Sequence, residues 1–340
     1  MKCCGNCFGD KFLTKEIERM SSEVGSCSFC NASEVAIVSP SKLIDSFERL
    51  LDVLYKESGD ADSISLLDLL KSDWELFYGL GDMQANRLID SILPELNSTR
   101  YKPVVDHDTG MVLKWDEFRE ELKHENRFFP QKMSFRKEHE GKLFAYLAVR
   151  PSLPLFFYRA RLLTERTPYN VCEMGKPPCE VTSNGRANPS GIPYLYVATD
   201  EETAVAEIRP FKSASVCVAK FELTKMLTFA NLCDPRSSIS PFLLIDDDEG
   251  LQLLRRYMPF LVRMGEELRK PVSPHKSNFE YLPTQYLCEF LKHSGFHGVM
   301  YKSSVGSGLN YAIFDDTSLR GVDVSTYKVD KVNLVTSLIK

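Results

Sequence analysis

Two pairs of closely spaced cysteines near the start of the chain constrain its fold more than any other feature. Cys4 and Cys7 form one C-x2-C pair and Cys27 and Cys30 form a second, with nineteen residues between the pairs. This spacing is typical of a four-thiolate zinc ribbon or treble-clef knuckle, because two intervening residues allow a tight turn that directs both sulfurs to one point. The pattern predicts a small module that folds around a structural zinc ion. The spacer from Asp10 to Met20 is predicted to form a short amphipathic helix in this module.

The same spacing is compatible with other ligands and with another state of the site. Four thiolates leave no coordination position open, so we expect a structural ion and no metal catalysis; unmetallated thiols and a redox or iron site are the other interpretations. Cys3 is adjacent and could replace Cys4 as a ligand. Five of the ten cysteines lie in the first thirty residues and the others are scattered, which favours one metal site over a disulfide framework.

Length and composition set the broad class. At 340 residues the chain is too long for one core, so we expect two domains in addition to the cysteine module. Hydrophobic residues make up 43% and charged residues 26%, the profile of a globular protein. The net charge of -5 argues against nucleic acid as the main partner. No apolar stretch approaches the roughly 18 residues of a membrane span, and the N-terminus lacks the apolar core of a signal peptide, so we expect a cytoplasmic protein.

The middle of the chain has the apolar spacing of amphipathic helices. Apolar residues recur at i, i+3, i+4 and i+7 in Leu43, Ile44, Phe47, Leu50, Leu51 and Leu54. Further helices are predicted over 62–71, 82–93, 115–125 and 136–148. The region is therefore predicted to be mainly helical.

Two residues of this region have the spacing of a known catalytic pair. Arg100 and His107 are separated by six residues, which resembles the loose Arg/His spacing of HEPN-type ribonucleases. Pro103 and the run from Asp108 to Gly110 place the pair on a loop or hairpin, whereas those enzymes carry it at a helix. We interpret both residues as ordinary surface groups.

The character of the sequence changes to β after Leu153-Pro154. Residues 155–161 are predicted to form an aromatic strand that ends in cations, and residues 185–199 a turn that feeds a strand. Residues 199–207 form a predicted capped helix with a carboxylate in its later turns. Residues 298–314 are predicted as strand, polar turn and strand.

A last helix is predicted over 286–293. Thr284 is the expected N-cap of this helix. For Gln285 we favour a structural role over one in a pocket.

The C-terminal half resembles the RES family over about 160 residues. The resemblance is carried by Tyr158-Arg159, Gly185-Arg186-Ala-Asn188-Pro, Tyr196, Glu207 and Tyr301-Lys-Ser303. Members of that family resemble ADP-ribosyltransferases in fold, and many are toxins of toxin–antitoxin pairs that deplete NAD by phosphorolysis, hydrolysis or ADP-ribosyl transfer. The resemblance therefore implies an α+β domain of two packed mixed sheets that enclose a nucleotide cleft. Ala187 stands where the family often has an aromatic residue.

The resemblance also implies roles for individual residues. Catalytic roles fall on Arg159, Glu207 and Ser303, with Ser304 as the alternative to Ser303. Cofactor-binding roles fall on Arg186, Asn188 and Tyr196.

These residue types suit cleavage of the bond between nicotinamide and ribose. Nicotinamide is already cationic on NAD and leaves without a general acid, so the barrier lies in an oxocarbenium-like ribose. Glu207 would place negative charge near that cation, and Arg159 and Arg186 offer planar forks for a pyrophosphate or an incoming phosphate. Tyr196 would stack on or wall off the nicotinamide, and Ser303 would hold a phosphate or orient a nucleophile.

The predicted organisation has four segments. We expect a zinc-binding Cys4 module at residues 1–35, a HEPN-like helical domain at 36–150, a RES catalytic domain at 151–325 and a C-terminal tail at 326–340. The first two resemble the extension that a subset of RES proteins carries.

The predicted activity is that of an NAD phosphorylase, which converts NAD and phosphate to nicotinamide and ADP-ribose-1''-phosphate and acts as a toxin or defence effector. NAD glycohydrolase and ADP-ribosyltransferase are the alternatives. An inactive zinc-stapled helical adaptor that binds a protein or a nucleic acid is the alternative of another class. Besides NAD and phosphate, the expected partners are an antitoxin or regulatory protein and a second copy of the chain.

Overall fold

The chain forms two compact units. A computed structural model describes residues 1–94, 99–133, 135–136, 140–153, 155–164, 167–270, 272 and 277–332. The first unit comprises Met1–Val112 and Asp234–Val262, and the second comprises Leu113–Cys233 and Arg263–Lys340. Within the described ranges, the helices are all too short or too polar to cross a membrane. The four predicted segment limits stay predictions.

The cysteine module of the first unit contains the short helix that the sequence predicts. Helix α1 (Lys11–Met20) begins after Asp10, whose carboxylate accepts a hydrogen bond from the Leu13 amide at 2.8 Å. This bond satisfies one of the amides that the first helical turn leaves free. Strands β1 (Val24–Gly25) and β2 (Val35–Ala36) pair antiparallel.

The rest of the first unit is mainly helical, which confirms the prediction. Its elements are α2 (Ile44–Leu54), β3 (Tyr55–Glu57), β4 (Ile64–Ser65), α3 (Leu66–Trp74), α4 (Asp82–Ile92), β5 (Arg100–Pro103) and α8 (Pro235–Ser238). Two longer helices contain residues of both units: α5 (Thr109–His124) and α9 (Asp248–Arg269). Helix α3 begins later than predicted because the preceding residues pair with β5 in a three-stranded sheet, ordered β3-β5-β4.

The second unit is built on an eight-stranded mixed sheet, so the predicted α+β class is confirmed. Its strands are β6 (Ala148–Val149), β7 (Leu155–Leu162), β8 (Leu195–Ala198), β9 (Ser215–Leu223), β10 (Phe229–Asn231), β11 (Gly298–Lys302), β12 (Leu309–Ile313) and β13 (Leu319–Lys328). The strand order is β13-β9-β7-β8-β12-β11-β10-β6. Only β10 and β11 pair in parallel among these strands.

The sheet is continuous, whereas the sequence predicted two packed sheets. Strands β7 and β8 are joined by a single register pair, Tyr158 with Ala198. Phe157 on β7 and Phe229 on β10 are four strands apart in the order, which in a flat sheet would separate them by about 19 Å. Their ring centroids are 6.4 Å apart. The two halves of this one sheet therefore face each other across an aromatic core. This arrangement accounts for the expectation of two packed sheets.

Helix α7 (Glu201–Glu207) packs on strands β7, β8 and β9. It belongs to a small apolar cluster that includes Ala160, Ala198, Ala204 and Val218. Asp200 caps the helix, since its carboxylate accepts a hydrogen bond from the Thr203 amide at 2.7 Å. The cap and the apolar cluster fix the direction in which the last turn of α7 points.

Three helices remain, and two of them differ from the predictions. Helix α6 (Glu140–Ala145) is shorter than the predicted 136–148, of which 137–139 lie outside the described residues. Helices α10 (Ser277–Glu280) and α11 (Leu282–His293) follow. The prediction of Thr284 as an N-cap is wrong, because α11 begins two residues earlier and Thr284 lies inside its first turn.

Candidate active site

A cavity of about 530 Å³ in the second unit brings most of the predicted site residues together. Its lining includes Arg159, Arg186, Tyr196 and Glu207, which are contributed by β7, the loop before β8, β8 itself and the end of α7. The volume falls within the usual range for small-molecule sites. Four residues that span about fifty positions of the sequence therefore share one cavity.

Glu207 is the last residue of α7 and presents an exposed carboxylate. Its Oε1 atom accepts hydrogen bonds from Ser303 Oγ and from Asn310 Nδ2, each at 2.6 Å. In the described part of the chain, Oε2 accepts no hydrogen bond. The carboxylate is therefore held by one oxygen, and the other is available to a ligand.

The Ser303 hydroxyl is occupied within the protein. It donates to Glu207 and accepts from the amides of Val305 at 3.2 Å and Gly306 at 2.9 Å. Ser304 is exposed and lines a second cavity. Of the two serines, Ser303 is the one that contacts the carboxylate, and its geometry orients Glu207.

Arg186 is held from two sides. One of its terminal nitrogens donates to the carbonyl oxygen of Leu268, in the last turn of α9. Its guanidinium carbon lies 5.9 Å from the ring centroid of Tyr301 on β11, within the range of a cation–π contact. Arg186 also lines the cavity, where its planar fork suits an anionic oxygen pair.

The loop that carries Arg186 is fixed by Tyr196. The Tyr196 hydroxyl donates to Asn188 Oδ1 at 2.8 Å and accepts from the Ala187 amide at 2.9 Å. Burial raises the pKa of this phenol well above its ordinary value, so the hydroxyl stays protonated and can donate.

Asn188 is only 3% exposed, and its side-chain nitrogen donates to the carbonyls of Ser183 at 3.1 Å and Pro189 at 3.0 Å. Its oxygen is used by Tyr196. Both hydrogens of the Asn188 amide are therefore used within the loop, and its predicted role in cofactor binding stays a prediction. Asn188 holds the shape of the loop.

Helix α11 supplies contacts to the same loop that the sequence did not indicate. Gln285 Nε2 donates to the carbonyls of Gly185 at 2.9 Å and Asn188 at 3.0 Å. Thr284 Oγ1 donates to the Arg186 carbonyl at 2.5 Å. Both side chains are buried. A glutamine among the apolar residues of a helical segment is the one sequence feature that could have pointed to these contacts.

Arg159 on β7 is a half-buried cation of the cavity. Burial, followed by the positive charge of Arg161, lowers the pKa of its guanidinium to about 10. Its Nη1 atom is buried and has no hydrogen-bond partner among the described residues. A buried guanidinium nitrogen without a partner is costly unless an anion completes it. Arg159 therefore marks the side of the cavity that suits an anionic ligand.

Two lining residues were missed by sequence reasoning. Arg209 adds a third guanidinium and has a left-handed backbone with φ of 47°, a conformation that is uncommon for a non-glycine residue. Asn310 is the second residue of β12 and is buried. Neither position has a local pattern that would separate it from an ordinary helix end or strand residue.

The four predicted zinc ligands converge in the first unit. The sulfurs of Cys4, Cys7, Cys27 and Cys30 all lie within 4.8 Å of one another, with pair distances of 3.4 Å and 3.3 Å. Tetrahedral zinc with bonds of about 2.3 Å separates its sulfurs by about 3.8 Å. Cys3 lies apart from the cluster and contacts the Val38 carbonyl. The cluster could hold a metal ion, and its four-sulfur donor set fits zinc.

Arg100 and His107 are tied into the first unit. The Arg100 guanidinium donates to the Ser63 carbonyl at 2.9 Å. His107 Nε2 lies 3.3 Å from Asp73 Oδ1, and Asp73 is 2% exposed. The two residues therefore contact different partners, and His107 is not the ordinary surface group that the sequence predicted.

Two family profiles match the chain. The RES domain profile matches residues 158–335, and the profile of HEPN/RES N-terminal domain 1 matches residues 20–135. The solved structures that are similar include the M. tuberculosis MbcT–MbcA toxin–antitoxin complex. That similarity has 11% sequence identity and a TM-score of 0.31, and it covers 55% of this chain and 90% of that chain. The curated proteins contain no match to the sequence.

Proposed function

The chain belongs to the RES domain family, and from that premise we propose that it is an NAD phosphorylase. It cleaves the bond between nicotinamide and ribose and transfers ADP-ribose to inorganic phosphate. Membership of the family is consistent with an enzyme that acts on NAD. The activity would make the protein a toxin or defence effector under the control of a partner such as an antitoxin.

The observation that carries the proposal is the pairing of an open carboxylate with desolvated cations in one cavity. Glu207 presents a free oxygen, and the Arg159 guanidinium has a buried nitrogen without a partner. NAD at neutral pH has a cationic nicotinamide–ribose end and an anionic pyrophosphate. The ligand thus supplies the charges that complement both groups.

The proposed reaction follows from these charges. The glycosidic bond breaks, and its electron pair leaves with nicotinamide, which becomes neutral and needs no added proton. Positive charge develops on the ribose carbon, and Glu207 stabilises it electrostatically while accepting from a ribose hydroxyl. A phosphate oxygen then forms the new bond to that carbon. Arg159 and Arg186 bind the pyrophosphate throughout.

The number of guanidinium groups favours phosphate as the acceptor. The cavity lining includes Arg159, Arg186 and Arg209, whereas the NAD pyrophosphate has two negative charges. A third cation is available to an incoming phosphate. Water and a protein side chain are the competing acceptors.

The Cys4 cluster would hold a structural zinc ion in this protein. Its donors are Cys4, Cys7, Cys27 and Cys30, and four thiolates leave no position for a substrate. The ion stabilises the fold of the N-terminal module and takes no part in the reaction.

The test is to incubate the purified full chain with NAD, with and without phosphate, and to measure nicotinamide and the ribosyl product. Nicotinamide release that requires phosphate, with formation of ADP-ribose-1''-phosphate, is the expected result. Equal release without phosphate would support hydrolysis instead, and transfer to protein would support an ADP-ribosyltransferase. No nicotinamide release either with or without phosphate would overturn the proposal and favour the inactive adaptor.

The matched variant is Glu207→Gln, which keeps the size of the side chain and removes its charge. We expect loss of nicotinamide release by at least about a hundredfold, with an unchanged melting temperature. In cells, induced wild-type protein should deplete NAD and the variant should not. A variant with wild-type turnover would remove Glu207 from the reaction.

A further inference from the structure

A buried amide is the second anchor of the Glu207 carboxylate. Asn310 lies on β12, where it pairs in register with Tyr301 of β11, and it is 5% exposed. Its Nδ2 atom donates to Glu207 Oε1 at 2.6 Å, across 103 positions of the sequence. The strand fixes the backbone of Asn310, so the amide can impose a position on the carboxylate.

The two donors to Oε1 differ in rigidity. Ser303 lies in the turn after β11, whereas Asn310 lies within the paired part of the β11–β12 hairpin. A strand residue in register has less freedom than a turn residue. Asn310 is therefore the donor that defines where Oε1 sits, and hence where the open Oε2 points.

The chemical type of the donor also matters. An amide donates a hydrogen bond without carrying charge, so it orients the carboxylate and leaves its full negative charge for a ligand. A lysine or arginine at the same place would orient Glu207 equally well but would neutralise it. A neutral donor is what a carboxylate needs if its task is to stabilise a cation.

We propose that Asn310 is a positioning residue for the reaction: its amide holds Glu207 Oε1 so that Oε2 faces the ribose carbon of NAD. The role rests on the proposed function, because it concerns the residue that stabilises the ribosyl cation. Asn310 itself does not touch the substrate.

Two substitutions separate orientation from packing. Asn310→Asp keeps the shape and places a second carboxyl against Glu207, so the two share a proton and their joint loss of it moves to higher pH. Asn310→Leu removes the donor. Asn231→Asp is the matched control, since Asn231 is a buried strand residue of the same sheet whose Oδ1 accepts from the Cys233 amide and which does not line the cavity.

The first experiment measures kcat and KM for NAD against pH. For Asn310→Asp we expect the acid limb of kcat to move up by about one pH unit or more. For Asn310→Leu we expect kcat to fall by about ten- to thirtyfold, with a smaller change in KM. Asn231→Asp should keep the wild-type pH profile. If both Asn310 variants had the kcat and the acid limb of the wild type, the proposal would be overturned.

The second experiment does not depend on turnover. The Glu207 carboxyl carbon is observed by NMR at neutral pH in uniformly 13C-glutamate-labelled protein, with its signal assigned by its loss in Glu207→Gln. Loss of the Asn310 donor should move this signal in Asn310→Leu, and Asn310→Asp should move it as well. An unmoved signal in both variants would refute the positioning role. If the wild type released no nicotinamide while these shifts occurred, the proposed function would fail and the Asn310 anchor would stand.

Discussion

The phenol of Tyr196 donates a hydrogen bond to Asn188 Oδ1 at 2.8 Å, so a strand residue fixes the loop that carries a cation of the site. The loop is closely packed at this point. A Cβ atom on Gly185 would lie 2.2 Å from Asn188 Oδ1 and 2.6 Å from the Tyr196 hydroxyl, closer than such contacts allow. Glycine, asparagine and tyrosine therefore act together to set the position of Arg186.

Tyr196→Phe tests this arrangement. It leaves the Ala187 amide and Asn188 Oδ1 without their partner, so we expect a loss of about 1–3 kcal/mol in the free energy of unfolding. The kcat/KM for NAD should fall by about tenfold or more because Arg186 loses its support. Chemical denaturation and steady-state kinetics measure the two effects. Tyr327→Phe, which removes an exposed hydroxyl bonded to Glu201, should change neither, and equal effects in both variants would contradict the assignment.

The Arg159→Met substitution should stabilise the protein and abolish the rise in melting temperature that NAD binding causes. The pKa of this guanidinium is lowered to about 10 mainly by burial, and its Nη1 has no partner among the described residues. Removal of an uncompensated buried charge should raise the melting temperature, by about 2–4 °C for each kcal/mol gained. In a Glu207→Gln background, which prevents turnover, NAD should raise the melting temperature of the parent but not of the Arg159→Met variant.

The control for this prediction is Arg161→Met. Arg161 donates to the Glu173 carbonyl at 2.6 Å and lies 5.1 Å from the ring centroid of Tyr169. Because this guanidinium has partners within the protein, its removal should lower the melting temperature and preserve the NAD response. A destabilised Arg159→Met variant that still responds to NAD would exclude the anion-binding role.

Metal analysis of the purified chain should find about one zinc ion per molecule. Cys27→Ser should lose the ion and destabilise the N-terminal module, because it removes one of the four converging thiolates. Cys3→Ser should retain it, because the Cys3 sulfur contacts the Val38 carbonyl and not the cluster. Mass spectrometry measures the zinc content of both variants. Loss of zinc in Cys3→Ser would identify Cys3, and not Cys4, as the fourth ligand.

The buried carboxyl of Asp73 should make the stability of the first unit depend on pH. Asp73 Oδ2 accepts from Tyr55 at 2.8 Å and from Arg255 at 2.6 Å. Burial raises the pKa of this carboxyl, but the contact with His107 and the charge of Arg255 lower it more, so the net pKa lies below its ordinary value. The ionised carboxyl therefore contributes stability above the unfolded-state pKa of about 3.9, and the contribution is lost as the pH falls through the folded-state pKa.

Asp73→Asn should lower the free energy of unfolding at pH 7 by about 3–5 kcal/mol, because it leaves Arg255 buried without its counter-charge. The gap from the wild type should begin to shrink below about pH 4, where Asp73 of the unfolded chain takes up a proton while the folded carboxyl is still ionised. Denaturation curves between pH 3 and 7 measure this gap. The exposed Asp52 provides the control, and Asp52→Asn should follow the wild type throughout. A gap that stayed constant with pH would contradict the assigned role of Asp73.

Helices and strands were predicted well where the sequence signals that define them lie within a few residues of one another. The apolar spacing from Leu43 to Leu54 predicted α2, and the acidic cap before Leu13 accompanies the predicted α1. Helix α9 was missed, although its apolar stripe is regular, because Pro259 and the acidic run at its start both resemble a loop. The prediction for α3 started too early, since only pairing with the distant β5 makes Ile64 and Ser65 a strand.

The sequence by itself determined the class of the fold, the cysteine cluster and the residue types of the site, because caps, metal spacing and apolar periodicity are local properties of the chain. The tertiary structure alone decided which of these residues contact one another. It placed Asn310 on the carboxylate of Glu207 and Gln285 on the loop of Arg186, across 103 and about 100 positions respectively. Hydrogen bonds over such distances depend on how the sheet folds back and where a helix docks, and no periodic pattern encodes them.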